Sequence, residues 1–506
     1  MTFPWLTTLI ALPTLGAVLT ALVPDGLERV AKRLGLGAAL ITGALAVVAG
    51  IAFAVDGSAV QFSERYAWIE AFGVYWALGA DGIRITMVVL TAVLTPIVMM
   101  MMWREAEPEG RSPRPFFALV LLLEAMLIGA FAAQDLLLFY ILFEAMLIPM
   151  YFLIGMYGGP QRRYAAMKFL LYNLLGGLIM LAAVIALYVQ ASSAGRGTFL
   201  LSDLTALDIP VETQRWLFLG FMFAFAIKAP LWPFHTWLPD AAAEATPSNA
   251  AYLSGIVDKT GTFGMIALCL PLFPAAAREF APYIVALAVI SILYGALLAI
   301  GQTDIKRLIA YISISHFGFI VLGIFALTSQ GATGATFYMV NHALSTVALF
   351  AVAGFMIARR GSRLWTDYGG VQKPAPILSG SFLFFGLAGL SLPGLSTFVS
   401  EFMVLVGTFS RYRVAAVLAT VGIILAALYI LLFYQRTMTG PVRAETANFP
   451  DLRRREIAIV APLAVAILAL GIVPKPVIDV IDGGVTPVLD EVDEQDPAPI
   501  LEGADR

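Results

Sequence analysis

The sequence predicts an all-α, polytopic membrane protein of about 14 transmembrane helices, built around two inverted five-helix repeats with broken helices 7 and 12. Three observations lead there: a composition too apolar for a water-soluble surface, apolar runs of bilayer length, and prolines placed alike in two halves of the chain. Hydrophobic residues make up 60% of the 506 and charged residues only 13%, with a mean hydropathy of +0.87. A chain of this size and composition must turn most of its surface to lipid or to other membrane helices. The net charge of −3 is uninformative, and no basic run suggests nucleic acid. The single cysteine, Cys269, excludes an intrachain disulfide framework and a cysteine-held cluster, and its apolar surroundings read as core packing.

A bilayer core takes about 20 apolar residues per helix. On that measure the spans lie near residues 3–23, 34–54, 83–102, 116–133, 136–155, 166–190, 215–233, 248–271, 281–300, 307–327, 332–357, 376–409, 413–435 and 456–474. The first lacks the basic flank of a cleaved signal and reads as a retained helix, leaving three N-terminal helices in residues 1–115. Loop charge tests the count, because cytoplasmic loops are rich in Lys and Arg. Alternate loops assign nineteen basic residues to one side, among them Arg162, Arg163, Arg359, Arg360 and Arg453–Arg455, and eight to the other. That asymmetry predicts a bacterial plasma membrane protein with both termini on the outer face. Residues 436–474 form a loop and the last span. Residues 475–506, with Asp490, Glu491, Asp493, Glu494 and Asp496, read as a mobile acidic tail on the outer face, either merely solvated or binding a partner.

The seventh span, FMFAFAIKAPLWPFHTWLPD, is interrupted by Pro230 and Pro233 directly after Lys228, and the twelfth, LAGLSLPGLSTFVSEF, by Pro393 and Gly394. Proline removes a backbone donor and clashes with the preceding turn, so both helices should open. Each break falls in the fourth helix of a five-helix unit, 116–271 and 281–435. An odd number of crossings sends the second unit into the membrane from the opposite side, the pattern of an inverted repeat with ion sites at the unwound helices. Chance placement of prolines is the alternative.

Ionisable side chains at membrane depth cost about 2.5–3.5 kcal/mol each on insertion scales, so they should face the bundle interior and carry a role. Glu124, Glu144, Lys228, Asp258, Lys259 and Glu401 fall inside predicted spans, with His235, His316 and His342 the only histidines. Glu144 and Lys228 read as a buried pair, suited either to proton release when the partner moves away or to static helix packing. Lys259 reads the same way, with Gly261 and Gly264 leaving room for water or for a close helix. Asp258 stands open between local charge compensation and a pathway role, and Glu124 reads as structural or gating. Lys168 lies near enough to its helix end to snorkel. His316 and His342 suit a proton relay or a satisfied core, and no histidine has a second ligand at helical spacing, so a metal site is not expected. No dinucleotide loop, phosphate loop, haem-binding cysteine pair or iron–sulfur spacing is present, so no cofactor is expected in this chain.

The segments LLFYILFEAMLIPMYFLIGMYGG, AIKAPLWPFHTWLPDAAAEATPSNAAYLSGIVDKTGTFG, DIKRLIAYISISHFGF and LSLPGLSTFVSEF resemble the antiporter-like membrane subunits of respiratory complex I. The resemblance implies a fourteen-helix fold and a proton half-channel joined to a buried hydrophilic axis. Matched by motif, Glu144 is the pairing glutamate, Lys228 the lysine of the broken seventh helix and Lys259 the central lysine. His316 and His342 are then the second-half histidines and Glu401 the terminal site. A glutamate at that last position is similar to M-type members, where L-type and N-type members carry lysine. Asp258 stands where an apolar residue is common. The resemblance also implies paralogous membrane subunits on both sides, with NADH, FMN, iron–sulfur and quinone chemistry held in partner subunits. A subunit of a multi-subunit Mrp-type Na⁺/H⁺ antiporter is the main alternative. A membrane subunit of an energy-converting hydrogenase and a scaffold with static charges are further ones.

Overall fold

The computed structural model describes residues 3–55, 57, 59–105, 111–493, 496 and 497; Glu494 and residues 498–506 of the acidic tail lie outside the described residues. The architecture is mostly helical, and among the described residues eleven helices are long and apolar enough to cross a membrane. The chain opens with α1 (Trp5–Ala21) and α2 (Glu28–Ala52), then a hairpin of β1 (Gln61–Ile69) and β2 (Val74–Ala80) between the second and third expected spans. Gly73 turns the hairpin with φ +63°, and Glu64 of β1 caps α1 by accepting from the backbone N–H of Leu6 at 2.8 Å. Next come α3 (Gly82–Met101), α4 (Pro113–Ala132), α5 (Leu136–Tyr157) and α6 (Arg162–Ser193).

Helix α7 (Val211–Lys228) stops at Lys228, and α8 (Trp237–Glu244) starts after an irregular stretch containing Pro230 and Pro233. One carbonyl freed by this break, that of Ile227, accepts from the indole N–H of Trp237 at 2.9 Å. Helices α9 (Pro247–Leu272), α10 (Pro274–Gly301), α11 (Ile305–Phe325) and α12 (Ser329–Arg360) follow. Then α13 (Pro376–Gly389) and α14 (Ser396–Arg411) flank a turn holding Pro393 and Gly394, the latter at φ +95°. The chain continues through α15 (Arg413–Met438), α16 (Arg454–Ile472) and α17 (Lys475–Val492). Every apolar stretch expected from the sequence coincides with one of these helices or with a broken pair.

Two features depart from expectation. Residues 475–492 are no loose tail: α17 lies on α3 and α12 and buries Ile481, Val485, Leu489 and Val492. Beyond it, Asp496 accepts from the backbone N–H of Ser329 at 2.9 Å. In addition, α9 widens to π-helical geometry over Leu253–Val257 and again over Met265–Cys269.

Helix α12 is the axle of the bundle, packed by α9, α11, α13, α14, α16 and α17. With α9 and α11 it is buried almost throughout, whereas α2, α6, α15 and α16 leave broad apolar faces outward. The three interior helices carry Lys259, His316 and His342.

Candidate functional site

Glu144 sits on α5 just before Met146, where the missing N–H of Pro149 interrupts the helix. Both its carboxylate oxygens are buried without a hydrogen-bond partner among the described residues. Gly177 of α6 makes the space: a Cβ there would collide with that carboxylate. Lys228 is the last residue of α7, where the negative end of the helix dipole favours a cation. It is 1% exposed, and its ammonium lies 4.6 Å from the centre of the Phe143 ring. Cation–π attraction of about 0.5–2 kcal/mol supports it there. Glu144 and Lys228 thus act on each other electrostatically but make no direct ion pair, unlike the contact expected from sequence.

Asp258 links this half to the next. It is wholly buried, its oxygens have no hydrogen-bond partner among the described residues, and its charge acts on both Lys228 and Lys259. Close approach of α9 to α7 accompanies this link. A Cβ at Gly261 would fall 2.7 Å from the backbone of Phe225 and Ala229, and one at Gly264 would strike the Phe225 ring. Both glycines therefore serve helix contact between α9 and α7.

Lys259 begins a row of buried polar side chains through the interior. Its ammonium donates to the carbonyl of Ser254 at 2.9 Å, within the π-helical segment whose wider turn spares that carbonyl. The same nitrogen lies 2.8 Å from Nδ1 of His342. On the far side of that ring, Nε2 meets the hydroxyls of Ser313 and Thr346, each at 3.1 Å. The His342 and His316 rings lie 5.3 Å apart, and His316 lies 5.7 Å from the ring of Tyr338. Tyr338 donates its hydroxyl to Oε2 of Glu401 at 3.2 Å, and Ser391, in the turn between α13 and α14, donates to the same oxygen. Nearby, Asn341 fastens α12 to the start of α14 through the carbonyl of Ser396 at 2.8 Å. Lys259, His342, His316, Tyr338 and Glu401 thus stand in sequence across α9, α12, α11 and α14.

Two expected residues stand apart from this chain. Glu124 on α4 is wholly buried beside Tyr252 of α9, whose hydroxyl meets that of Thr95 at 2.9 Å. His235, in the α7–α8 break, packs on Tyr294 and faces a second polar cluster. There Asp240 pairs with Lys168 and Arg307, both at 2.7 Å. Lys168 is therefore held in an ion pair, in place of the free snorkelling posture expected. Tyr338, Ser391 and Asp240 were missed from sequence. The spacing of four between Tyr338 and His342 puts them on one helix face and was the available signal. Among the described residues no three His, Cys, Asp or Glu side chains converge as a metal site.

Residues 133–426 match the family described as NADH:quinone oxidoreductase/Mrp antiporter, transmembrane. The chain is 50% identical to NADH-quinone oxidoreductase subunit M of Mycobacterium tuberculosis, over 98% of this chain and 96% of that protein. It is 37% identical to NADH-ubiquinone oxidoreductase chain 4 of Arabidopsis thaliana, over 93% of this chain and 94% of that one. Among solved structures, a chain of respiratory complex I from Thermus thermophilus with bound NADH superposes with a TM-score of 0.88 at 31% identity. That match covers 97% of this chain and all of the other. A chain of the Mrp complex from Dietzia shares the fold, with a TM-score of 0.83 at 23% identity over 97% of this chain and 98% of that one.

Proposed function

The chain belongs to the NADH:quinone oxidoreductase/Mrp antiporter membrane family, and from that premise we propose that it is the proton-translocating, antiporter-like subunit of an NADH–quinone oxidoreductase. The observation that carries the reading is the buried polar chain from Lys259 through His342, His316 and Tyr338 to Glu401, set in helices that are otherwise apolar. Buried ionisable groups in such a setting persist where a charge is to be moved.

In this reading Glu144 and Asp258 hold Lys228 from two sides. When quinone reduction elsewhere in the complex withdraws the influence of Glu144, the Lys228 ammonium releases its proton towards Lys259. Asp258 steadies the charge during the transfer, and imidazole and phenol groups pass it on to Glu401. The breaks after α7 and α13 give the polar ends that hold Lys228 and Glu401, as broken helices of inverted repeats do in transporters. The same reading gives fourteen crossings in all, three N-terminal helices, units 116–271 and 281–435, and both termini outside a bacterial plasma membrane. Paralogous antiporter-like subunits flank the chain, which itself holds no redox centre.

The test combines assembly with flux. Native electrophoresis of tagged membranes should show the chain co-migrating with NADH-oxidising and quinone-site subunits. Lys228→Ala should keep that assembly and its electron transfer but lose proton translocation in reconstituted vesicles. A band free of redox subunits would promote the Mrp-type antiporter reading, and full proton-to-electron stoichiometry in Lys228→Ala would remove the assigned role.

A further inference from the structure

Away from the polar chain, a cavity of about 400 Å³ opens where α3 and α12 end and α9 and α16 begin. Four arginines and two glutamates line it: Arg104, Arg359, Arg453, Arg455, Glu105 and Glu456. The two carboxylates already have partners. Glu456 is gripped by Arg359, whose side chain is only 7% exposed and also donates to the carbonyls of Phe355, Pro450 and Asp451. Glu105 accepts from the hydroxyl and backbone N–H of Ser248. The remaining cations, Arg104, Arg453 and Arg455, make no direct ion pair among the described residues. Nη1 of Arg455 is buried with no hydrogen-bond partner among the described residues; Arg104 and Arg453 repel its charge while Glu456 and Glu105 attract it without pairing with it. Three consecutive arginines, Arg453–Arg455, also sit at the start of α16, against the positive end of its dipole.

Among the described residues the lining carries a surplus of positive charge around a half-open cavity, and with an unsatisfied guanidinium nitrogen it is complementary to an anion with several acceptor oxygens. The other walls are apolar, Met101 and Phe355 among them, and the cavity sits at the level of the helix ends. A freely soluble ion has no use for apolar walls, whereas a phosphate carried on glycerol and acyl chains does. We propose that this cavity binds the phosphate headgroup of an anionic phospholipid at the face of the membrane lined by the basic loops. Arg104 and Arg455 contact the phosphate, and the Arg359–Glu456 pair fixes the wall. Three of the four arginines lie outside residues 133–426, the stretch matched by the family, so the site is no part of the shared proton-carrying core.

The test uses the native complex in bilayers containing a photoreactive phosphatidylglycerol analogue, with labelled peptides mapped by mass spectrometry. Label is expected on peptides containing Arg104 or Arg455, and only background from the matching phosphatidylcholine analogue. The double variant R104Q/R455Q should label about tenfold less, as loss of one charge-assisted hydrogen bond or more implies, while R104K/R455K keeps most of the signal. Equal labelling by the zwitterionic analogue, or unchanged labelling of an assembled R104Q/R455Q complex, overturns the proposal. Should that variant fail to assemble, the headgroup comparison on the unaltered complex decides alone. Displacement by inorganic phosphate, but not by chloride at equal ionic strength, reassigns the cavity to a free ion and overturns the lipid reading.

Discussion

Lys259 is held by two neighbours of different kinds, a backbone carbonyl that cannot change charge and an imidazole that can. The first fixes where the ammonium points, and the second offers its proton a way out. Replacing His342 with alanine leaves the carbonyl contact and removes the exit. His342→Ala should therefore assemble normally yet slow proton transfer by about a hundredfold or more, the usual worth of a positioned acid–base group. Proton uptake by vesicles containing the reconstituted complex reads this directly, and uptake at the unaltered rate would show that His342 is only a core residue. Gly177 makes a second residue-scale case, because its missing side chain is what admits the Glu144 carboxylate. Gly177→Ala should destabilise the subunit by about 1–3 kcal/mol through overpacking and depress pumping by displacing the Glu144 carboxylate. Thermal melting and pumping of the purified complex measure both, and normal values for each would mean that Glu144 sits elsewhere in the working protein.

At the scale of elements, legibility followed how far each signal depends on local chemistry. The long apolar stretches were readable because a bilayer demands a fixed length of apolar helix whatever the neighbours do. The breaks at Pro230 and Pro393 were readable because proline acts on its own turn. The hairpin was not, since charged Glu64 and Arg65 within β1 hid its alternation. Helix α17 was missed because acidic residues and Pro487 suggested coil, although Ile481, Val485, Leu489 and Val492 already marked one apolar face. The π-helical turns of α9, which free the Ser254 carbonyl, have no local sequence signature at all. Docking of α17 depends on Gly82 and Gly484, because a Cβ at Gly82 would strike the carbonyl of Val480. Gly82→Val should lift α17 off α3 and expose residues 475–492 to protease added to the purified protein. Resistance to cleavage equal to that of the unaltered protein would show that the crossing tolerates a side chain.

Across the whole molecule, the apolar helices α2, α6, α15 and α16 form the rim, and the buried ionisable groups of the site are carried by α4, α5, α7, α9, α11, α12 and α14. Of the candidate site, the ionisable members were visible from sequence because charge inside an apolar run is conspicuous. The hydroxyls that complete it, Tyr338, Ser391, Ser313 and Thr346, looked like ordinary helix residues until the fold brought them together. Topology is testable at this scale through cysteine, since the only native thiol, Cys269, is buried. Lys475→Cys should react with a membrane-impermeant maleimide in cells whose plasma membrane is intact, and Arg163→Cys only after permeabilisation. The reverse pattern would invert the orientation, and reaction of both in intact cells would break the span count.

The polar chain also has an electrical meaning. Lys259 and His342 lie towards the middle of their helices, and Glu401 lies close behind a helix break, so in the proposed relay a proton passing among them would travel sideways through the bundle. A membrane voltage acts along the other axis, at about 2.3 kcal/mol per elementary charge for each 100 mV crossed. Sideways hops cross little of that voltage, so the relay can run at nearly the same rate on a charged or an uncharged membrane. The work against the voltage then falls on the entry and exit steps, and it is there that back-pressure from a fully energised membrane should stall the machine.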